Sequence, residues 1–286
     1  MTKMQAKSGP FRDLLQNLTP TAIICLLILI GLILLAILAP WISPHMPTKI
    51  LTNESYQLSS DTMLLGGDYL GRDMVSRLIY ALRITLGVTF IVTILAFFIG
   101  CLMGFLAAVL GGVWDTVLSR VVDALIALPA IMIALIVIGA LGSSLPVLIV
   151  TLAIIDSTRV FRVARALAMN IVVSDFVEAA RVRGEDLKWI MWHEIMPNAL
   201  GPLAAEFGIR FTYAILFMSA LGFLGLGIQP PHADLGLLIR ENMQGLLFGS
   251  YAPLYPALLI SLITISINIF VDWYLQQLDT ALPNEF

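Results

Sequence analysis

Long apolar runs alternate with shorter polar segments along almost the whole chain. A helix needs roughly 20 apolar residues to cross about 30 Å of hydrocarbon, and most of these runs are that long. In lipid the backbone must satisfy its own hydrogen bonds, so helices are the expected form of such runs. The pattern predicts an all-α membrane protein with six transmembrane helices, over residues 22–41, 84–110, 121–141, 144–159, 200–224 and 252–273.

Three of these runs carry further local signals. The first run could be a cleaved signal peptide, but it is longer than a signal h-region and ends in Pro40-Trp41 rather than in small residues. We therefore expect an uncleaved helix. Pro129 predicts a kink in the third run. Glycines and prolines over residues 222–236 predict a broken helix or a re-entrant loop after the fifth run.

The distribution of basic residues predicts the topology. Of the 16 Lys and Arg residues, six surround one polar segment: Arg159, Arg162, Arg165, Arg181, Arg183 and Lys188. Three more precede the first run: Lys3, Lys7 and Arg12. Cytoplasmic loops carry such an excess. We expect cytoplasmic tails at 1–19 and 280–286, a transmembrane domain at 20–279 and a cytoplasmic loop at about 159–198. The segment 42–83 also holds arginines, but acidic residues are mixed among them.

Charged and small residues near the apolar runs predict specific contacts. Asp123 is expected to pair with Arg120, and Glu206 with Arg210 four residues later. Arg159, Arg162 and Arg165 are expected to face phospholipid headgroups. A stripe of small residues predicts close helix packing, either within the chain or against a partner; it comprises Gly100, Gly104, Ala108 and Gly112.

The most informative polar segment lies between the fourth and fifth runs. Ser174 predicts a helix N-cap, with Glu178 in the first turn, and Gly184 predicts the C-terminal stop. The spacing places Phe176, Ala179, Ala180 and Arg183 on one face. A second short helix is expected to open at 185 or 186 and to end before Pro197.

This segment resembles the EAA loop of bacterial ABC-importer permeases. The match consists of Glu178-Ala179-Ala180, Gly184 and Met196-Pro197. The surroundings resemble the dipeptide/oligopeptide/nickel permease family, and specifically its second, C-type subunit. The resemblance implies the type I ABC-importer permease fold and a coupling helix that docks on an ATPase through Glu178, Ala179, Ala180, Gly184 and Pro197. The alternative is a polar cytoplasmic loop that has no partner.

A second motif precedes the second run. In this family a Gly-Thr-Asp-x-x-Gly-Arg-Asp-x-x-Ser-Arg pattern occurs here, with Gly67 in place of Thr in this chain. Asp73 predicts the cap of the helix that leads into the run. Two roles of this motif remain open, a capped turn that holds the loop and a direct contact with a partner. The motif residues are Asp68, Gly71, Arg72, Asp73, Ser76 and Arg77.

The composition excludes several classes of chemistry. The chain is 59% hydrophobic and only 12% charged, against about 25% charged residues in soluble domains. No lysine follows a glycine, so the chain lacks a phosphate-binding loop. Its two cysteines lie in apolar runs and its three histidines are scattered, so neither a metal site nor a disulfide framework is expected. We expect a transport subunit that is not an enzyme and binds no cofactor.

Two functions remain open from the residues. A secondary transporter or channel would usually place carboxylates at the midplane and repeat its halves, whereas here the acidic residues crowd the ends of the runs. The resemblance implies an ABC importer of the bacterial cytoplasmic (inner) membrane, which takes up short peptides, nickel or other small solutes. The implied partners are a homologous second permease, two ATPase subunits or domains that hold ATP and Mg, an extracytoplasmic substrate-binding protein and membrane lipids, with no nucleic acid.

Overall fold

The computed structural model describes residues 18–281, and nearly all regular structure in this part of the chain is helical. The predicted tails, with Lys3, Lys7 and Arg12, therefore lie largely outside the described residues. The elements are α1 Pro20–Ile37, α2 Ala39–Ile42, α3 Met74–Leu110, α4 Gly112–Ala127, α5 Ala130–Leu141, α6 Leu145–Val172, α7 Asp175–Val182, α8 Leu187–Trp189, a π-helical turn Ile190–Ile195, α9 Met196–Leu224, α10 Leu235–Asn242, a 3₁₀ turn Met243–Phe248 and α11 Leu254–Ala281.

The all-α class is confirmed, but the count of six spans is not. Over residues 18–281, four helices are long and apolar enough to cross a membrane: Pro20–Ile37, Met74–Leu110, Leu187–Leu224 and Leu254–Leu278. α4 and α5 together make a fifth if the pair is one broken span. α6 has sufficient length at 28 residues, but charged side chains interrupt its apolar character near the middle.

The third run is broken rather than kinked. α4 and α5 meet at an angle of 86°. Leu128, which precedes Pro129, has an extended backbone with φ −90° and ψ 139°. The residue before a proline is disfavoured in the α region, so the helix ends there and a new one begins at Ala130.

The closest helix packing joins α3 and α6, and two glycines of the small-residue stripe make it possible. A Cβ atom on Gly100 would lie 2.6 Å from Val160 Cβ, and one on Gly104 would lie 2.9 Å from the Phe161 carbonyl oxygen. No atom lies within 4 Å of such a Cβ on Gly112. At Gly100 and Gly104 the stripe therefore packs within this chain, against α6.

Two further clusters of buried side chains complete the core. One joins α1, α3, α9, α10 and α11 and includes Leu82, Ile215 and Leu235. The other, which includes Leu152 and Met218, lies where α3, α5, α6 and α9 meet. The N-terminal helix α1 is thus packed against the bundle as an integral element.

Candidate functional site

The segment between α6 and α9 begins with the predicted short helix α7. Ser174 occupies the N-cap position with an extended backbone, and its carbonyl oxygen accepts from the Glu178 N–H at 3.2 Å. Its side chain makes no capping hydrogen bond. Asp175 and Glu178 lie in the first turn, where the helix dipole favours negative charge.

Gly184 ends α7 in the predicted manner. Its φ of +84° is in the left-handed region, which glycine adopts without a Cβ penalty. The Gly184 N–H donates to the Arg181 carbonyl at 3.0 Å, and the Glu185 N–H donates to the Ala180 carbonyl at 3.2 Å. These two bonds are the Schellman pattern, which satisfies carbonyls at the end of the helix.

The second helix begins where the sequence predicts but does not end before Pro197. The Asp186 side chain accepts from the Trp189 N–H at 2.7 Å and caps α8. The helix then continues through the π-helical turn into α9, so that Leu187–Leu224 is one element of 38 residues. The prediction of a stop was wrong because the π-helical turn Ile190–Ile195 precedes Pro197 and changes the hydrogen-bond register there, so the helix continues through the proline.

The two alanines of the motif have different environments. Ala180 is 0% exposed, as is Val177, and both belong to a buried cluster that includes Ile190 and Ile195 of the following π-helical turn. Ala179 is exposed. The expectation of one common face was therefore wrong for Ala180, whose small side chain fits the contact between α7 and its own chain.

The remaining side of α7 is exposed and partly apolar. Phe176 is 43% exposed and Val182 is 84% exposed, on either side of Ala179. These three residues are called the α7 face below. Arg183 lies beside it, with its guanidinium 5.5 Å from the Trp189 ring centroid. An apolar surface on a short polar connection is typical of a protein contact.

The motif before α3 forms a buried network of charges. Asp68 accepts from the Arg72 Nε at 2.7 Å and from the Arg77 Nη1 at 2.6 Å. Glu241 of α10 was not predicted to take part, and it lies 2.9 Å from the Arg77 Nη1. Asp68, Arg72 and Arg77 are all buried, and each lies within 4 Å of an opposite charge of this chain.

The same motif also caps α3. Asp73 accepts from the Ser76 N–H at 2.9 Å, as predicted. Because of this cap α3 begins at Met74, ten residues before the predicted span at 84. Gly71 has φ +72°, and a Cβ there would lie 2.1 Å from the Thr52 carbonyl oxygen. Of the two open alternatives, the geometry favours a capped turn that holds the loop 43–73 on α3 and α10.

The loop after α9 contains a buried carboxylate. Asp234 caps α10 by accepting from the Leu237 N–H at 2.9 Å, and it also accepts from the Ile228 N–H at 3.2 Å. Burial raises the pKa of Asp234 to about 6, although the backbone donors oppose this shift. The predicted break after the fifth run is confirmed, with Gly225 as a left-handed C-cap.

The charged residues of the bundle pair across helices more often than the sequence predicts. Glu206 and Arg210 form the expected pair, with Arg210 Nε 2.7 Å from Glu206 Oε1. Asp156 of α6 joins them, with Oδ1 3.6 Å from Arg210 Nη1. Asp156 lies well inside α6, so the expectation that acidic residues crowd the ends of the runs was wrong for this residue.

One predicted ion pair was also wrong, and two arginines make contacts that the sequence did not predict. Asp123 pairs with Arg162 at 2.8 Å rather than with Arg120. Arg165 binds Asp115 of α4 through two hydrogen bonds. Arg162 and Arg165 therefore join α6 to α4 instead of facing headgroups alone. Over residues 18–281 no group of three or more His, Cys, Asp or Glu side chains could hold a metal ion.

Comparison with known families finds two matching models. Residues 96–282 match the model described as a binding-protein-dependent transport system inner membrane component. Residues 11–60 match the N-terminal transmembrane domain of oligopeptide transport permease C. The first match contains the whole segment from α6 to α9 and more than half of the chain.

Individual relatives cover nearly the full length. The chain is 36% identical to the dipeptide transport system permease protein DppC of Escherichia coli K12 over 267 residues, which are 91% of this chain and 89% of that protein. It is 32% identical to DppC of Haemophilus influenzae, over 91% and 90% of the two chains. A putative peptide transport system permease protein of Brucella abortus is 35% identical over 91% and 88%.

A solved structure has a similar fold. The chain superimposes with a TM-score of 0.52 on a chain from the crystal structure of an amino acid ABC transporter with histidines. The superposition covers 73% of this chain and 95% of that one at 19% identity. At this identity the similarity concerns the fold alone.

Proposed function

The chain belongs to the permeases of binding-protein-dependent transport systems, as a C-type subunit of the dipeptide/oligopeptide ABC permeases, and from this premise we propose that it forms half of the translocation path of an ATP-driven importer of short peptides. Its partners are a homologous second permease, two ATPase subunits and an extracytoplasmic binding protein. ATP and Mg are bound by the ATPase subunits.

The observation that carries the proposal is the construction of the segment 174–197. α7 is fixed to its own chain by buried Val177 and Ala180 and by the cap at Gly184. Its opposite side presents the exposed α7 face. A rigid short helix with an exposed apolar surface can transmit a displacement of a docked ATPase to α6 and α9, because only two residues separate α6 from α7 and α9 continues from the end of the segment. We therefore assign the coupling role to α7, with Glu178 and Ala179 at the docking surface and Ala180, Gly184 and Pro197 in support.

The proposal includes six membrane crossings with both termini in the cytoplasm. The broken pair α4–α5 and the charged helix α6 are the third and fourth crossings. The charges of α6 face other helices or the translocation path, which makes its crossing compatible with a low mean hydropathy. Single cysteines provide the test: one at Asp186 should be protected from an impermeant thiol reagent in intact cells, and one at Asn53 should react. Labelling of Asp186 from outside contradicts the topology.

Reconstitution tests the function itself. Vesicles that contain both permeases and both ATPase subunits, with the binding protein added on the extracytoplasmic side, should accumulate a labelled dipeptide when ATP is supplied to the ATPase side. The purified chain alone should hydrolyse no ATP, and replacing the phosphate-loop lysine of the ATPase subunits should stop uptake. Uptake that continues without ATP or without the ATPase subunits contradicts the proposal and favours a secondary transporter or channel.

A further inference from the structure

A cavity of about 380 Å³ lies between α6 and α9 near the middle of both helices. Asp156 and Arg159 of α6 and Tyr213 of α9 form part of its wall. Asp156 is about 17 Å along α6 from Leu145, and Tyr213 is about 17 Å along α9 from Leu224, at roughly 1.5 Å per residue. With Leu145 of α6 and Leu224 of α9 at the outer surface, these groups lie near the midplane of a hydrocarbon layer about 30 Å thick. The fourth crossing then extends past the bound at 159 that the sequence predicts.

The charges around this cavity are unequally paired. Arg210 is held between Glu206 at 2.7 Å and Asp156 at 3.6 Å. Arg159 is exposed and forms no ion pair among residues 18–281. Its guanidinium lies 5.7 Å from the Tyr213 ring centroid. Asp156 Oδ2 is buried and has no hydrogen-bond partner.

These groups require a polar partner. A charged side chain facing hydrocarbon at the midplane is costly, so Arg159 must face water, another protein group or a substrate. A guanidinium stacked on an aromatic ring keeps its N–H edge available, and this edge matches the geometry of a carboxylate. Asp156 and Arg159 are three residues apart on α6 and therefore neighbours on one face. Their opposite charges match the two ends of a short zwitterion.

We propose that Arg159, Tyr213 and Asp156 form a subsite for the charged ends of the peptide in transit. Arg159 binds the carboxylate, Tyr213 supports the guanidinium, and Asp156 accepts from the ammonium group through the oxygen that lacks a partner here. This inference rests on the proposed function, since it takes the transported solute to be a short peptide. It assigns recognition of peptide ends to the membrane subunit as well as to the binding protein.

The test measures binding to the assembled permease–ATPase complex in lipid nanodiscs without the binding protein. The probes are labelled dialanine and, as competitors, dialanine amide and N-acetyl dialanine. Arg159→Gln should weaken dialanine binding at least about tenfold, because a charge-assisted hydrogen bond is lost, and should leave amide binding unchanged. Asp156→Asn should weaken binding of dialanine and its amide but not of the acetylated form. Arg159→Lys should retain part of the affinity. Arg162 lies on the same helix as Arg159 and forms an exposed pair with Asp123 of α4, so Arg162→Gln should match the wild type.

The outcomes separate this inference from the proposed function. Equal weakening of dialanine and its amide by Arg159→Gln, or no weakening of either, overturns the subsite. Loss of the second permease from the Arg159→Gln complex also overturns it, since Arg159 would then pair with the partner subunit. If vesicles with the wild-type complex and the binding protein take up dialanine with ATP, but the nanodisc assay shows no such discrimination, the subsite alone fails. If it shows no such uptake, the proposed function fails and the inference falls with it.

Discussion

The sharpest prediction contrasts two adjacent alanines of α7. Ala179 is exposed on the α7 face, whereas Ala180 is buried against the π-helical turn. Ala179→Trp should leave the stability of the isolated chain within about 0.5 kcal/mol of the wild type, as is usual for exposed positions. Ala180→Trp inserts a large ring where the alanine is fully buried. Overpacking of this kind costs about 1–3 kcal/mol of stability, and more where the surroundings cannot relax.

The effects on the partner should differ in the same way. If the α7 face docks in a groove, a tryptophan at Ala179 overpacks that interface by about 1–3 kcal/mol and weakens ATPase binding by roughly 5- to 150-fold. Thermal unfolding of the purified chain in detergent gives the first quantity, and titration of the ATPase subunits onto immobilised permease gives the second. Ala179→Ser serves as the matched control, because it changes little volume and should bind normally.

Two results would refute this prediction, one for the docking role of the α7 face and one for the different burial of the two alanines. Wild-type affinity and wild-type coupled uptake with Ala179→Trp would show that the α7 face is not the docking surface. A loss of stability with Ala179→Trp equal to that with Ala180→Trp would show that the burial of the two alanines is not as described. Reduced ATPase binding with unchanged chain stability is the pattern that the structure predicts for Ala179→Trp alone.

Three further predictions concern the elements that hold the fold. Gly184→Val should destabilise the chain by about 1–2 kcal/mol in thermal unfolding, because valine disfavours a φ of +84°. Gly184→Asn should cost less, and equal losses of stability in the two variants would exclude a conformational cause. Asp68→Asn should cost up to about 3–5 kcal/mol by removing the carboxylate that pairs with both buried arginines and leaving them only Glu241. Exposed Asp61→Asn should cost nothing measurable, and equal melting temperatures for the two variants would contradict this. The pKa of Asp234 is raised to about 6 in the folded chain, so the folded state holds this proton more tightly than the unfolded state does. The stability should therefore fall as pH rises from about 4 to about 6. Asp234→Asn should flatten this part of the pH–stability curve, and an unchanged curve would contradict the assignment.

Local signals in the sequence predicted the elements whose causes are local. Asp73 caps α3, Gly184 ends α7 and Glu206 pairs with Arg210, as their spacing indicates. Each of these features depends on residues within four or five positions of one another. Hydropathy likewise located the apolar helices, since burial in lipid depends on composition over a single segment.

The features that sequence reasoning missed depend on packing between distant segments. Glu241 completes the network of Arg77 from a helix more than 160 residues away, and Asp156 reaches Arg210 from another helix. Ala180 could be buried or exposed with equal ease, because an alanine fits either environment. The continuation of the helix through Pro197 depends on the π-helical turn, which no residue pattern in the sequence predicted.

The most direct test of the central claim is a photocrosslink from the α7 face. A photoreactive amino acid at Phe176, which is 43% exposed, should crosslink to an ATPase subunit in the assembled complex, and the yield should change when ATP is bound. The same amino acid at exposed Asn53 in the loop before α3 should yield no ATPase crosslink. An intact, transport-active complex in which Phe176 crosslinks only to lipid or to its own chain would contradict coupling through α7.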